Sequence, residues 1–314
     1  MIFSCIIPAS AKDAESQMLK DLIASIRAQD FPQSQIEILV ITEGDSEQAK
    51  AIGIRRAKGE ICAMFCADNM IMDKGLFKYV LNEMRDWVPL HKKDGFVEQL
   101  QAPGCFEERY AYVKEDNSLN RYFSLMGCND PIAFYLGKCD RIPWYKHSSR
   151  SWFSRDLKPS YGDNGFFMRT DLLKKTNLEH YYPMDNAQEV LEKSNGLSFT
   201  VFPTASVWHR TSDNLISFLK KRYRYARDLY CERTDRRWKM LDTREDYWKL
   251  CLFVIYTLTI IQPLSVSIRG FRKVPDIAWA WHWPVCFGFL ITYTILAIRN
   301  LFKHGRLFQC PQPA

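Results

Sequence analysis

The sequence contains ten cysteines but lacks the spacings that would gather them into a zinc site. No CxxC pair and no Cys/His cluster occurs, so we expect reduced and mostly buried thiols in a cytosolic setting. The first residues lack the basic region of a secretory signal, and we expect the main domain to stay in the cytoplasm. Internal repeats and low-complexity segments are also missing.

The excess of positive over negative charge is small. The net charge is +7 over 314 residues, which suits anionic partners such as phosphates or lipid headgroups but does not identify a nucleic-acid binder. The hydrophobic content of 47% is ample to bury a core. Length and composition therefore suit one full domain plus an appendage.

The first 75 residues alternate short apolar strands with amphipathic helices. Strands are predicted at 2–7, 36–42 and 61–66, with helices at 13–28 and 46–57 between them. This order implies a parallel sheet with right-handed crossovers, in which ligands bind beyond the carboxyl ends of the strands. Pro8, Glu43 and Asp68 fall at those ends.

Later segments are more varied. Residues 161–169 are predicted to form a loop that enters a strand, residues 186–195 a helix, and residues 197–202 a strand that leads to Trp208 and His209. A polar segment at 129–141, rich in aromatic neighbours, is interpreted as a solvated surface loop, with an acceptor-side loop as the alternative.

The last third changes character. A basic helix is predicted over 215–230, and two uncharged apolar segments follow, Leu250–Ile268 and Ile277–Ile298. With 19 and 22 residues they are long enough to cross a hydrocarbon core of about 30 Å, and the short loop between them predicts a hairpin. Gln262-Pro263 interrupts the first segment, and the basic loop conflicts with the positive-inside tendency, so re-entrant packing remains an alternative to spanning.

These patterns divide the chain into four parts. We expect a catalytic domain at 1–214, basic amphipathic juxtamembrane helices at 215–248, two membrane helices, spanning or re-entrant, at 249–304, and a tail at 305–314.

The first 75 residues resemble the family 2 glycosyltransferases of the GT-A fold. The matching stretches are Ser4 to Pro8 for the opening strand, Gln29 to Pro32 after the first helix, Val40 to Ser46 for the second strand, Ala49 to Glu60, and Cys66-Ala67-Asp68 for the DxD-type motif. The resemblance implies an α/β fold, a GT-A Rossmann-like mixed sheet flanked by helices, here with a C-terminal hydrophobic helical hairpin. It also implies transfer of a sugar from a nucleotide-sugar.

The chain departs from the family pattern at three places. Cys66 replaces the first acidic residue of the DxD motif, Ala51 replaces the usual asparagine, and the QxxRW signature of processive synthases is absent. The first departure bears on nucleotide contact, and the last favours a single transfer over polymerisation.

A divalent cation, Mg²⁺ or Mn²⁺, would neutralise the leaving diphosphate, and such hard ions favour carboxylate ligands. Asp68 is the candidate metal ligand, and its alternative role is that of a turn residue. The resemblance suggests His209 as a second metal contact, with a partly buried structural histidine as the equal alternative.

The family places an acidic base at the start of a late helix, and Asp185 occupies that place. A base acting directly on the acceptor hydroxyl implies inversion at the sugar carbon. The alternative is that Asp185 is an N-cap that opens the helix.

The remaining candidates concern the donor. Nucleotide-sugar contacts are expected from Pro8, Ala9, Glu43, Ala67, Asp68, Asp163, Asn164, Arg222 and Arg224. Glu43 also fits an ordinary loop acid, and Asp163 and Asn164 a plain turn. The basic helix that carries Arg222 and Arg224 fits either a phosphate contact or a solvated face on anionic headgroups.

Together these features predict an inverting, non-processive, metal-dependent glycosyltransferase on the cytoplasmic face of a membrane. The expected partners are a UDP- or GDP-sugar, a lipid-linked or other membrane-associated acceptor and the membrane, but no nucleic acid; a homo-oligomer is an open option. Two alternatives remain. One is a catalytically impaired membrane-bound partner subunit, which Cys66 keeps open. The other is a sugar-phosphate nucleotidyltransferase, against which the absence of a Gly-rich loop after the first strand argues.

Overall fold

The computed structural model describes residues 1–11, 13–85, 102–139, 141–147, 151–153, 164–194, 198–232, 236–237 and 239–304. These residues form two compact units. The first comprises Met1–Ala111 and Ser148–Arg210, and the second comprises Tyr112–His147 and Thr211–Ala314.

The first unit contains all the strands found in the described residues. They are β1 (Phe3–Pro8), β2 (Ile36–Ile41), β3 (Ile61–Met64), β4 (Asn69–Ile71), β5 (Gly104–Glu107), β6 (Ser151–Phe153), β7 (Phe166–Arg169), β8 (Phe199–Phe202) and β9 (Val207–His209). Its helices are α1 (Gln17–Arg27), α2 (Ser46–Arg56), α3 (Leu76–Arg85), α6 (Thr170–Leu173) and α7 (Pro183–Lys193).

The second unit is helical. Its helices are α4 (Ser118–Met126), α5 (Pro131–Leu136), α8 (Leu215–Ala226), α9 (Arg244–Thr259), α10 (Ile261–Lys273) and α11 (His282–His304). A π-helical turn, Arg227–Glu232, follows α8, and a 3-10 helix, Ile277–Trp281, precedes α11.

The sheet of the first unit is mixed, as the sequence predicts. Within the described residues its strand order is β2-β1-β3-β7-β5-β8-β6, and a smaller pair joins β4 to β9. β1 pairs in parallel with β2 and β3, and β7 runs antiparallel to β3. The predicted order of the first five elements is therefore confirmed, and the carboxyl ends of β1, β2 and β3 lie at one edge of the sheet.

Buried aromatic and aliphatic side chains fix this sheet. Phe3 on β1 packs on Phe77 of α3 with ring centroids 4.6 Å apart, and Phe167 of β7 meets Phe77 edge to face at 6.2 Å. The cysteines contribute as small apolar residues: those in the described part of the chain are free, and most of them are buried. Burial raises the pKa of the Cys62 thiol to about 12, so this thiol is unreactive.

The apolar C-terminal segments form helices with one break. The helix Ile277–Lys303 has the length and apolar composition of a membrane-crossing helix, whereas α9 and α10 pass that test only as a pair bent by 82°. Pro263 explains the break, because a proline ring collides with the carbonyl four residues earlier and cannot donate a hydrogen bond. α9 accordingly ends at Thr259, and Pro263 lies in the first turn of α10, where its missing N–H is harmless.

Candidate active site

Asp68 and His209 lie together beyond the end of β3. Asp68 is in the turn between β3 and β4, and β4 pairs with β9 so that Asn69 faces His209. The Asp68 carboxylate Oδ1 is 3.5 Å from His209 Nε2, and the Arg210 N–H donates to the Asp68 carbonyl at 3.0 Å. Two residues that the sequence singled out separately are therefore neighbours, with side chains largely but not completely buried.

Asn69 closes the turn that presents Asp68. Its Oδ1 accepts from the Cys66 N–H at 2.9 Å, and its Nδ2 donates to Asn164 Oδ1 at 2.9 Å. Asn164 Nδ2 in turn donates to the Tyr110 hydroxyl at 3.5 Å. The Tyr110 ring lies 5.9 Å from the His209 ring, so hydrogen-bonded side chains extend from the turn of Asp68 to a ring beside His209.

Glu107 holds the segment that leads to His209. This buried carboxylate, at the end of β5, accepts from the N–H groups of Ser206 at 2.6 Å and Val207 at 2.8 Å and from the Thr204 hydroxyl at 2.5 Å. Three donors from one segment fix the start of β9. Asn69, Tyr110 and Glu107 were not predicted from the sequence, in which Glu107 is the first of two consecutive acids after a short apolar run.

Asp185 lies inside the first turn of α7 and does not cap that helix. The N-cap residue is Tyr182, Pro183 is the first helical residue, and the Asp185 side chain is 6% exposed. The N-cap alternative is therefore wrong, because the proline starts the helix two residues earlier. The helix as a whole begins at Pro183, three residues before its predicted start.

The candidates for donor contact lie at the ends of the parallel strands. Pro8 ends β1, and the Ala9 N–H donates to the Ile41 carbonyl at 2.9 Å. Ala67 is half-buried beside Asp68. Glu43, beyond β2, forms a bidentate ion pair with Arg56, both contacts measuring 3.0 Å, and both side chains are more than half exposed.

Because an exposed ion pair contributes little free energy, Glu43 can exchange Arg56 for another donor. Asn164 is placed beside the turn of Asp68, whereas Asp163 lies outside the described residues. Their roles in donor binding stay predictions.

Arg222 and Arg224 belong to the second unit. Arg222 is mostly buried, pairs with Asp130, and stacks on Tyr225 with 4.7 Å from the guanidinium carbon to the ring centroid. Its charge is therefore already matched by a carboxylate, which supports a structural role and leaves its phosphate role a prediction. Arg224 is exposed on the other face of α8.

Asp130 corrects the interpretation of residues 129–141 as a solvated loop. It is 5% exposed, caps α5 by accepting from the Ile132 and Ala133 N–H groups, and accepts from the Tyr293 hydroxyl at 2.9 Å. Lys138 is equally enclosed: its ammonium lies 2.9 Å from Asp246 and 2.7 Å from the Met240 carbonyl oxygen. The segment is buried because its charges have partners far away in the sequence; Asp140 lies outside the described residues.

A divalent cation fits the Asp68 and His209 pair in part. Within the described ranges, no group of three or more His, Cys, Asp or Glu side chains is placed to hold a metal ion. Asp68 and His209 supply one carboxylate oxygen and one imidazole nitrogen at 3.5 Å from each other. A six-coordinate ion would take its other ligands from water or from a bound diphosphate, so the donor set suits an ion that is shared with an anionic substrate.

No protein-family model and no curated protein sequence matches the chain. Solved structures do match. The mannosyltransferase PcManGT from Pyrobaculum calidifontis, in complex with GDP-Man and Mn²⁺, is similar with a TM-score of 0.50 at 11% identity, over 96% of this chain and 87% of that one. S. aureus TarS 1-349 aligns with a TM-score of 0.44 at 12% identity, over 98% of this chain and 92% of that one.

The catalytic domain of Drosophila beta1,4galactosyltransferase 7, in complex with xylobiose, aligns with a TM-score of 0.33 at 12% identity, over 79% of each chain. Identities this low show the fold alone, and of these three matches that of PcManGT reaches a TM-score of 0.50. The mixed sheet, its flanking helices and this likeness together show that the chain has a GT-A-like glycosyltransferase fold.

Proposed function

We propose that the chain is a glycosyltransferase that moves one sugar from a nucleotide-sugar to an acceptor, with inversion at the sugar carbon. The observation that carries the proposal is the pairing of Asp68 with His209 at the carboxyl-end edge of a GT-A-like sheet. That edge is where α/β sheets bind their ligands. The structure of PcManGT, which has a similar fold, is a complex with GDP-Man and Mn²⁺, which supports a UDP- or GDP-sugar as the class of donor.

Asp68 and His209 are the residues that would hold Mg²⁺ or Mn²⁺ against the donor diphosphate. A bound divalent cation neutralises charge that develops on the leaving phosphate. The protein's own contribution is to fix both ligands: Asn69 closes the turn of Asp68, and Glu107 fixes the segment before His209. This rigidity keeps the two side chains in place before the donor binds.

Asp185 is the proposed base. A buried carboxylate in the first turn of a helix, close to no solvent, is a suitable group to accept the proton of the attacking hydroxyl. Attack by that hydroxyl on the face opposite the leaving diphosphate inverts the sugar carbon. Without the QxxRW signature, we propose a single transfer and not polymerisation.

The acceptor is proposed to be membrane-associated, and a lipid-linked one fits best. This part of the proposal is supported by the exposed apolar side chains of α9, α10 and α11 and by the exposed basic side chains of α8. It places the enzyme at the cytoplasmic face of a membrane, where anionic headgroups would attract α8.

The test is Mn²⁺-dependent binding and turnover of a panel of UDP- and GDP-sugars by purified protein in detergent. Asp68→Asn should lose at least about tenfold in Mn²⁺-dependent donor affinity, since it removes a charged ligand. Asp185→Asn should keep donor affinity and lose about 10²–10⁴-fold in turnover, the usual contribution of a general base. Asp171→Asn is the matched control, because Asp171 is a half-exposed carboxylate paired with Arg169.

Failure of every donor to bind would end the transferase proposal. The alternative of a catalytically impaired partner subunit, which Cys66 in the DxD position keeps open, would then become the leading one. Equal losses in Asp171→Asn and Asp68→Asn would point to a general effect of charge and would refute the specific role of Asp68.

A further inference from the structure

The second unit exposes an apolar surface that the proposed transfer chemistry does not use. Between Lys249 and Arg269 the chain carries no charged residue, yet several of its apolar side chains are exposed. Leu258 is 62% exposed, Ile261 is 74% exposed, and Ile260 and Leu264 are also exposed. These four residues surround the break between α9 and α10, and we call them the break cluster.

The bend makes this stretch too short to cross a bilayer. Its uncharged parts, Leu250–Thr259 and Ile261–Ile268, are about 15 and 12 Å long at 1.5 Å per residue. Straight, they would reach about 27 Å, but at the bend of 82° their outer ends are only about 20 Å apart. A hydrocarbon core is about 30 Å thick, so an inserted pair with this bend would enter it from one side and return.

The break is built so that its backbone tolerates an apolar medium. The last carbonyls of a helix have no hydrogen-bond donor within that helix, and in hydrocarbon no water is present to donate to them. Here the Trp283 indole N–H donates to the Thr257 carbonyl at 2.9 Å. The Leu264 N–H donates to the Ile260 carbonyl at 2.9 Å and so resumes the helical pattern directly.

α11 is long enough to cross a bilayer, but its contacts with α8 and the turn after α8 argue against a crossing. Leu219 of α8 packs against Gly288, and Glu232 after α8 pairs with Arg299 at 3.1 Å and with Lys303 at 3.5 Å. From Gly288 to Lys303 these contacts follow α11 over about 22 Å, at 1.5 Å per residue.

α8 carries exposed basic side chains, Lys220, Lys221 and Arg224. If α11 crossed a bilayer, these charges would lie in hydrocarbon beside it, at a large cost in free energy. The apolar stripe on the outer face of α11, which includes Ile291 and Ile295, is therefore suited to the membrane surface and not to a crossing.

We propose that the second unit binds one leaflet of an anionic bilayer as a wedge, with the break cluster inserted and no helix crossing. Charge complementarity identifies the occupant. Arg269, Arg272 and Lys273 are exposed at one end of the uncharged stretch, where long basic side chains reach phosphate headgroups, whereas Lys249 at the other end pairs with Glu245. The proposal concerns the second unit alone, so it holds whether or not the chain transfers sugars.

Vesicle flotation tests the insertion. Full-length protein should float with vesicles of phosphatidylcholine and phosphatidylglycerol, and the double substitution Leu258→Glu with Ile261→Glu should reduce the bound fraction at least about tenfold. Met18→Glu is the control, because Met18 is an exposed apolar residue on α1 of the first unit; it should bind like the wild type. Flotation of the double variant at the wild-type level would overturn the proposal.

Sidedness of lysines tests the absence of a crossing. In sealed, uniformly oriented vesicles from expressing cells, a membrane-impermeant amine reagent should label Lys249, Lys273 and Lys303 each to the same extent before and after detergent is added. Protection of Lys273 relative to the other two, relieved by detergent, would mean that both apolar segments cross and would overturn the wedge. A light-scattering mass that falls from dimer to monomer in the double variant, without lipid, would assign the cluster to a second copy and would also overturn it.

Discussion

Replacing Asn69 by alanine should damage the candidate site more than any change at a surface turn. Asn69 is 2% exposed, and it satisfies the Cys66 N–H through Oδ1 and Asn164 Oδ1 through Nδ2. Alanine removes two buried hydrogen bonds and leaves two polar groups without those partners. At about 1 kcal/mol for each bond and a further cost for each orphaned group, the loss is about 2–4 kcal/mol.

Thermal unfolding in detergent measures this loss. For a unit of this size each kcal/mol corresponds to about 2–4 °C, so Asn69→Ala should lower the apparent Tm by about 4–16 °C. Donor binding should weaken as well, because the turn that presents Asp68 loses its side-chain closure. Vesicle binding, which depends on the second unit, should stay unchanged.

Asn177→Ala is the matched control. Asn177 is exposed, and its Oδ1 accepts from the nearby Glu179 N–H, so its removal should shift the Tm by less than about 2 °C. A Tm for Asn69→Ala within 2 °C of the wild type, with donor binding intact, would refute the reasoning that Asn69 holds the site together; about 2 °C corresponds to under 1 kcal/mol here.

Two further predictions concern the second unit. Asp276→Asn should cost about 2–4 kcal/mol, because it leaves Arg121, which Asp276 holds by two contacts at 2.9 and 3.1 Å, largely buried without its counter-charge. Burial opposes ionisation of Asp276, but hydrogen bonds from Arg121 and Tyr112 outweigh it and hold the pKa of Asp276 below its usual value. Its contribution is therefore complete above about pH 4 and is lost as the pH falls through the lower folded-state value, so the Tm difference between wild type and variant should shrink in acid. Ile260→Gly should stabilise the protein in detergent by about 1 kcal/mol and so raise its Tm, because Ile260 has a φ of 64° that glycine adopts without strain. It should also weaken vesicle flotation, and an unchanged Tm would contradict the strain.

The fold of the first unit was accessible from the sequence because its signals are local. Buried apolar runs predicted β1, β2 and β3, and the helices between them began within a few residues of their expected positions. The capping residue Asp45 and the break at Phe31-Pro32 are turn signals that need no tertiary information. Asp68 and His209 could each be proposed as ligands, but only the β4–β9 pairing brings them together.

What the sequence could not supply were the distant partners. Glu107 receives hydrogen bonds from residues about a hundred positions later, and Asp130 meets Arg222 92 positions later and Tyr293 163 positions later. Periodicity carries no information on such pairs, which is why the segment around Asp130 was wrongly interpreted as solvated. The apolar run at 250–268 predicted helical structure, and Gln262-Pro263 indicated an interruption, but only the structure shows two helices joined by a bend of 82°.

At the proposed site, binding of the cation should be coupled to binding of the donor. Asp68 and His209 provide two ligating atoms where Mg²⁺ or Mn²⁺ takes about six, and Cys66 stands where the family pattern has a further acid. Most of the cation's ligands must then come from the diphosphate and water. The cation alone should therefore bind weakly, and a bound donor should raise its affinity for the protein. Because such coupling is reciprocal, the cation must strengthen donor binding by the same factor. A site with Cys66 in place of one acidic residue therefore favours binding of the cation together with the nucleotide-sugar over a metal centre that is permanently occupied.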